Sequence, residues 1–311
     1  MSIDISIVTP AYGSPQSLPE LREQVDAVMQ AENLSYELII VDDRCPKGSW
    51  DVARALAEAH SEVVALRLSR NFGQHAAIYA GLRRTSGRRV VVMDCDLQDP
   101  PSEIPRLLRE AEAGARVVRA RRKQRQDDPF RRFVSWAFYA TLSALTGVRH
   151  SAEVANFGVY DRSVIDALLS WNENHLYFPA AIQWIGFTQS DVDIQHQARA
   201  YGESSYNFKK LFALAMSIIV SFSDQPLRII AGVGLVIAVL SIFVSLAYFS
   251  VALVYEFSVP GWASIIVSVW LFSGLILSAI GVTGVYVGQA MREAKGRPNF
   301  FVEDIVGQDE R

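Results

Sequence analysis

Cysteine is almost missing from this chain: its 311 residues contain only Cys45 and Cys95, with no CxxC pair. That excludes a disulfide framework, and with no histidine-rich ligand spacing it excludes a structural zinc site as well. Both thiols are expected to be reduced and structural. Nor does a basic start with an apolar core open the sequence, because the apolar run 3–8 is short and soon meets Pro10. The N-terminal region is therefore expected to stay in the cytosol. No helix-turn-helix, zinc finger or aromatic platform accompanies the basic residues, which argues against nucleic acid as a partner. Charge is absent from two long stretches, 229–254 and 262–291. Each exceeds the roughly 20 apolar residues needed to cross a hydrocarbon core, so two transmembrane helices are predicted. Lys209, Lys210 and Arg228 precede the first stretch, Arg292, Lys295 and Arg297 follow the second, and the link between them carries only Glu256. This positive-inside bias predicts an integral inner or plasma membrane protein with both termini cytoplasmic.

About 225 residues precede the first apolar stretch, enough for one compact domain with a sizeable core, and no repeat interrupts them. Short β-rich runs at 3–9, 37–41, 63–68, 89–93 and 116–118 alternate with helical patterns at 18–30, 50–59, 74–84 and 103–113. The alternation predicts an α/β fold with a mostly parallel sheet covered on both faces, whose ligands gather at the carboxyl ends of the strands. Further on, 155–160 and 191–196 read as strands, 162–169 and 178–187 as helices. The thirteen residues 211–223 are apolar but too short to span, which predicts a helix lying along the membrane interface. Phe133, Trp136, Phe138 and Tyr139 form either a second such element or an ordinary core-facing helix. The predicted organisation is a cytosolic domain over 1–206, an interface helix over 207–226, two spans within 227–291 (about 228–254 and 262–290) and a cytosolic tail over 292–311.

The net charge of -3 hides a basic cluster at Arg116, Arg119, Arg121, Arg122, Lys123, Arg125, Arg131 and Arg132. Such a cluster needs an anionic partner, and phosphates or a membrane surface fit it. Carboxylates concentrate elsewhere, in "DCDLQDPP" after the strand-like "RRVVVM". On an extended chain Asp94 and Asp96 share a face, and two such carboxylates hold a hard divalent cation between protein and substrate oxygens. Mg²⁺ or Mn²⁺ there would bind a diphosphate and neutralise the charge that develops as it leaves.

The blocks "SIVTPAYG", "ELIIVDDR", "LSRNFGQHAAIYAGL", "VVVMDCDLQDPP" and "RAYGESSYNFKKL" resemble, in order, those of the family 2 glycosyltransferases that charge polyprenyl phosphates with a sugar. The resemblance covers nearly the whole chain, and the two apolar stretches match bacterial members. It implies a GT-A type sheet in which Pro10 and Tyr12 line the base and ribose and Asp43 or Asp42 hydrogen-bonds the base. The nucleotide is UDP first, with dTDP and GDP open, since Arg44 and Cys45 replace the usual small "GS" pair. Arg70 and Asn71 are assigned to the loop or the nucleotide. Gly73 opens a helix whose free N–H groups can approach an anion. The same resemblance assigns metal binding to Asp94 and Asp96, and positioning of the sugar or a metal-bound water to Gln98. Arg122, Arg125 and Arg131 are assigned to phosphates, whereas Arg116 and Arg119 read as solvated or structural charge and His75 as structural. Arg199, Ser205 and Tyr206 belong to a loop that closes over the site, with Arg199 brought to the phosphates. Asn156 stands where the family often has a proposed acidic base, and Gly158 where it has an arginine.

These assignments imply inverting transfer of a single sugar to undecaprenyl phosphate or a similar lipid. The segments "NFGQHAAIYAG", "GESSYNF" and "GRPNFFVEDIV" bring the chain close to the branch that handles 4-amino-4-deoxyarabinose derivatives, with glucose and other deoxy or amino sugars open, and the resemblance alone implies a homo-oligomer, such as a tetramer. One rival is a processive polysaccharide synthase, but "IQWIG" lacks the arginine and spacing of QxxRW. The other is a catalytically silent nucleotide-sugar sensor.

Overall fold

The computed structural model of the chain describes residues 3–122, 154–171, 177–194, 219, 223, 225–252 and 261–307. In chain order the elements are β1 (Ile5–Ala11), α1 (Ser17–Ala31), β2 (Tyr36–Asp42), α2 (Ser49–Ala59), β3 (Val63–Leu68), α3 (Gln74–Leu82), β4 (Arg89–Val92) and α4 (Ile104–Glu112). Then follow β5 (Val117–Arg122), β6 (Val154–Asp161), α5 (Arg162–Leu169), α6 (Phe178–Ile185), β7 (Gln189–Ile194), α7 (Gln225–Ala252), α8 (Trp262–Ala294) and β8 (Val302–Val306).

The strands form one sheet in the order β7-β5-β6-β4-β1-β2-β3-β8. Its centre, β4-β1-β2-β3, is parallel, as the βα alternation requires. Because helices cover both faces, these strands are buried on both sides, and every residue of β1 is buried. In α1 the buried side chains Leu18, Leu21, Val25 and Met29 recur at three- and four-residue spacing and make a stripe that faces the core. Helix α3 approaches the sheet at Gly81, where an added Cβ would lie 2.4 Å from Val8 Cγ1 and 3.1 Å from Val41 Cγ2. Only a residue without a side chain lets that helix lie so near β1 and β2. Asp161 caps α5 by accepting the Ser163 N–H at 3.0 Å.

The outer strands are mixed in direction. β6 runs antiparallel to both β4 and β5, and β7 runs parallel to β5. At the opposite edge β8 pairs antiparallel with β3, although the sequence pattern predicted only a tail there. The described chain divides into two units, one carrying the sheet together with the tail from Arg297, the other carrying α7 and α8.

In the second unit α7 has 28 residues and α8 has 33. At 1.5 Å per residue these reach about 42 and about 50 Å. Their large apolar side chains, among them Leu235, Phe243, Leu277 and Ile280, are exposed. Among the described residues one segment, Phe272–Ala294, is long and apolar enough to cross a membrane, and a shorter apolar helical stretch covers Gln225–Ile237. The expected interface helix lies outside the described residues apart from Ile219, Ser223 and the start of α7.

Candidate active site

Register brings the predicted site residues to one edge of the sheet. Ala11 pairs with Asp42 across β1 and β2, and Val8 pairs with Val92 across β1 and β4. The Met93 N–H donates to the Val8 carbonyl at 3.1 Å, and the Asp43 N–H to the Ala11 carbonyl at 3.3 Å. Three adjacent parallel strands therefore end together, delivering Pro10 and Tyr12, Asp42 and Asp43, and Asp94 and Asp96 to their carboxyl edge. Pro10 is buried, whereas Tyr12 is 49% exposed and presents its ring at the surface.

Strand β4 stops at Val92, so the acidic triplet sits in a turn and not on the extended chain its alternation suggested. Exposure still alternates through the turn: Asp94 and Asp96 are half-buried on either side of buried Cys95. Leu97 adopts a left-handed φ of 59°, an uncommon conformation for a branched side chain, and this reverses the chain. The Gln98 N–H then donates to Asp96 Oδ1 at 3.2 Å. Asp94 Oδ1 accepts from Gln74 Nε2 at 2.7 Å, which ties the turn to the first residue of α3. Burial, and then the Asp94 charge, pushes the Cys95 thiol up to about 12, which makes it a packing group. Among the described residues no group of three or more His, Cys, Asp or Glu side chains is placed to hold a metal. The two carboxylates fit a hard cation only as part of its shell, with substrate oxygens and water supplying the rest.

The neighbouring aspartates are distinguished by their partners. Asp43 accepts the Phe72 N–H at 2.7 Å and the Gly73 N–H at 2.8 Å, one on each carboxylate oxygen. The anion held at the start of α3 is thus Asp43 itself, and the Gly73 N–H assigned to the nucleotide is engaged within the chain. Asp42 Oδ1 accepts the Cys45 N–H at 3.2 Å, while its buried Oδ2 has no hydrogen-bond partner among the described residues. Burial raises the pKa of both carboxyls. Of the two candidates for a base contact, Asp42 is the one with an unmatched acceptor, beside Tyr12 and Pro10.

A strand-end acidic turn beside a second aspartate pair is a candidate site, and similarity to known proteins shows the family of the chain that carries it. The sequence model of "Glycosyl transferase family 2" matches residues 6–169. The chain belongs to glycosyl transferase family 2. It is 32% identical over 308 residues to a Photorhabdus laumondii "Undecaprenyl-phosphate 4-deoxy-4-formamido-L-arabinose transferase", covering 98% of this chain and 95% of the relative. A Proteus mirabilis protein of the same name is 33% identical, with 97% of this chain and 94% of that one covered. Among solved structures, glucosyl-3-phosphoglycerate synthase from Mycobacterium tuberculosis, in complex with Mn²⁺, UDP and phosphoglyceric acid, superposes with a TM-score of 0.51. At 19% identity, over 70% of this chain and 76% of that one, this neighbour supports the GT-A-like fold alone. The protein is a glycosyltransferase.

In this glycosyltransferase the basic cluster is partly structural. Arg119 Nε donates to Asp191 at 2.9 Å and Arg121 Nε to Asp193 at 2.6 Å, pairs that the β5–β7 register sets directly opposite one another. Arg116 lies over the Phe187 ring at 5.4 Å. Arg122 ends β5. Arg125, Arg131, Arg199, Ser205 and Tyr206 lie outside the described residues. Arg70 is exposed, 4.0 Å from the Phe72 ring centroid, and donates to the Asn71 carbonyl at 3.4 Å. Asn156 lies on β6, which continues past the end of β4 alongside the acidic turn, because Gly158 already pairs with Val92. The missing arginine at 158 has a packing reason: an added Cβ would lie 2.7 Å from the Val118 carbonyl oxygen and 2.9 Å from the Tyr160 hydroxyl. His75 is half-buried, its Nδ1 covered and its ring edge-on to Tyr177 at 4.7 Å, and desolvation lowers its pKa to about 4. Gln74, the partner of Asp94, escaped sequence reasoning although it lies inside a recognised block. Its signal was a polar side chain in the first turn of a helix that starts beside the strand ends.

Proposed function

We propose that this glycosyltransferase transfers one sugar from a nucleotide diphosphate sugar to undecaprenyl phosphate or a similar polyprenyl phosphate, with inversion, at the cytoplasmic membrane face. The reading is carried by the meeting of the acidic turn with the Asp42 edge, in a chain whose relatives over nearly its full length are named as undecaprenyl-phosphate transferases. The donor we favour is 4-deoxy-4-formamido-L-arabinose, after the names of those relatives, carried on UDP as the first of the nucleotides that the sequence blocks leave open. Helices α7 and α8 anchor the enzyme in the bilayer, where their exposed apolar side chains meet lipid.

In this account Asp42 and Tyr12 hold the base and Asp94 and Asp96 bind Mg²⁺ or Mn²⁺, which when bound neutralises the charge of the departing diphosphate. Gln74 fixes Asp94 through its hydrogen bond, so one carboxylate is oriented before substrate arrives. The lipid phosphate oxygen attacks the anomeric carbon as the bond from that carbon to the nucleotide diphosphate oxygen breaks, with the bonding electrons leaving on the diphosphate. No side chain need remove a proton, because a lipid phosphate is already ionised at neutral pH. Asn156 beside the turn therefore serves to orient and not to act as a base. Arg122, Arg125, Arg131 and Arg199, with Ser205 and Tyr206, are assigned to the two phosphate groups, whose mutual repulsion they offset.

The test is to incubate the full chain in detergent with labelled nucleotide sugars, undecaprenyl phosphate and Mg²⁺ or Mn²⁺, then extract the lipid. One sugar per lipid is expected, and Asp96→Asn is expected to lower the rate by at least about 100-fold. Long chains on the lipid, or donor binding without transfer, would contradict the proposal.

A further inference from the structure

Two features remain outside that account: Arg44, which departs from the family pattern, and the tail strand β8. The structure joins them. Along β3 and β8, Arg67 pairs with Asp304 but Leu68 pairs with Val302, so Glu303 is the extra residue of a bulge. A bulge re-aims a side chain, and Glu303 here forms ion pairs with Arg44 and, at 3.6 Å, with Arg67. Arg44 itself holds a left-handed φ of 56°, immediately after the aspartate pair. The tail is fixed further by the Ser69 N–H, which donates to the Phe301 carbonyl at 2.9 Å, and by the Phe301 ring 6.4 Å from Phe72.

Arg67 stands between two carboxylates. Its Nε is 3.6 Å from Glu303 and 3.9 Å from Asp42 Oδ2, and neither Arg67 Nε nor Asp42 Oδ2 completes a hydrogen bond among the described residues. Asp42 Oδ2 is buried, so leaving it without a donor costs free energy that a nucleotide base N–H would recover.

We infer that Glu303 is a positioning residue of the donor site: by sharing Arg67 with Asp42 it keeps Arg67 from closing a hydrogen bond onto the covered Asp42 Oδ2, which a nucleotide base entering this edge would then engage. This rests on the donor lying at the β1–β2–β4 edge. Without the Glu303 charge, Arg67 closes onto Asp42 and competes with the base. The reacting end of the donor lies at the β4 turn, so turnover of bound substrate is unaffected.

The experiment uses the full chain in detergent and measures UDP binding with Mn²⁺ by calorimetry, GDP and dTDP in parallel, together with donor KM and kcat. Glu303→Gln is expected to weaken nucleotide binding and raise KM by about tenfold while kcat stays within about twofold. Asp304→Asn, on the same strand, is expected to change neither. Adding Arg67→Gln to Glu303→Gln is expected to recover much of the lost affinity, which a merely destabilised edge strand would not do. The proposal is overturned if Glu303→Gln binds as wild type, if kcat falls together with thermal stability as KM rises, or if Arg67→Gln deepens the defect. A wild-type chain that binds none of the three nucleotides would overturn the donor reading and this inference with it. Nucleotide binding that is intact and indifferent to Glu303 overturns the inference alone.

Discussion

Asp43 commits both carboxylate oxygens within the chain, and His75 packs edge-on against Tyr177. By accepting both the Phe72 and Gly73 N–H groups, Asp43 fixes the loop that enters α3, and through α3 the Gln74 that orients Asp94. Asp43→Ala leaves those N–H groups without their acceptor and is expected to cost about 1 to 3 kcal/mol of stability in denaturant unfolding. Activity should fall further than stability alone explains. His75 makes a different prediction. The unfolded chain binds a proton at this imidazole below the ordinary 6.5, but the folded chain only near 4. The stability held by keeping it neutral is complete above pH 6.5 and is lost as pH falls towards 4, by at most about 3 kcal/mol. Thermal melts at pH 7 and pH 5 should therefore show a larger acid loss for the wild type than for His75→Gln. Equal losses would contradict the assignment.

At the scale of elements, the strands and helices from β1 to α4 were legible because their apolar periodicity is uninterrupted and their ends carry Gly, Pro and Asp. Helix α5 was legible from residue to residue over Arg162–Leu169, bounded by the Asp161 cap. β8 was not. Five residues with two adjacent acids make no alternation of their own, and the strand exists because β3 offers an edge to pair with. The acidic pair was legible as a motif but not as a shape: the left-handed Leu97 that makes it a turn leaves no mark in sequence. Nor could sequence choose between Asp42 and Asp43, since that choice depends on which one α3 engages. Glycines test the packing at this level. Gly158→Ala would place a methyl against the Val118 carbonyl and is expected to destabilise the fold by about 1 to 3 kcal/mol, read as a lowered melting temperature.

On the scale of the whole molecule, the sheet shares its chain with a pair of long, apolar helices on which large apolar side chains such as Leu235, Phe243, Leu277 and Ile280 are exposed. This division suits a reaction whose donor is a charged solute and whose acceptor is a lipid. In the proposed reaction the acidic turn binds a divalent cation jointly with the donor diphosphate. The most direct measurement of this joint binding is Mn²⁺ binding to the full chain by electron paramagnetic resonance, with and without UDP, in the wild type and in Asp96→Asn. With only two carboxylates assigned to the ion, Mn²⁺ should bind weakly alone, at least about tenfold more tightly once UDP is added, and lose that gain in Asp96→Asn. Mn²⁺ affinity that is indifferent to UDP, or unchanged in Asp96→Asn, would contradict the account.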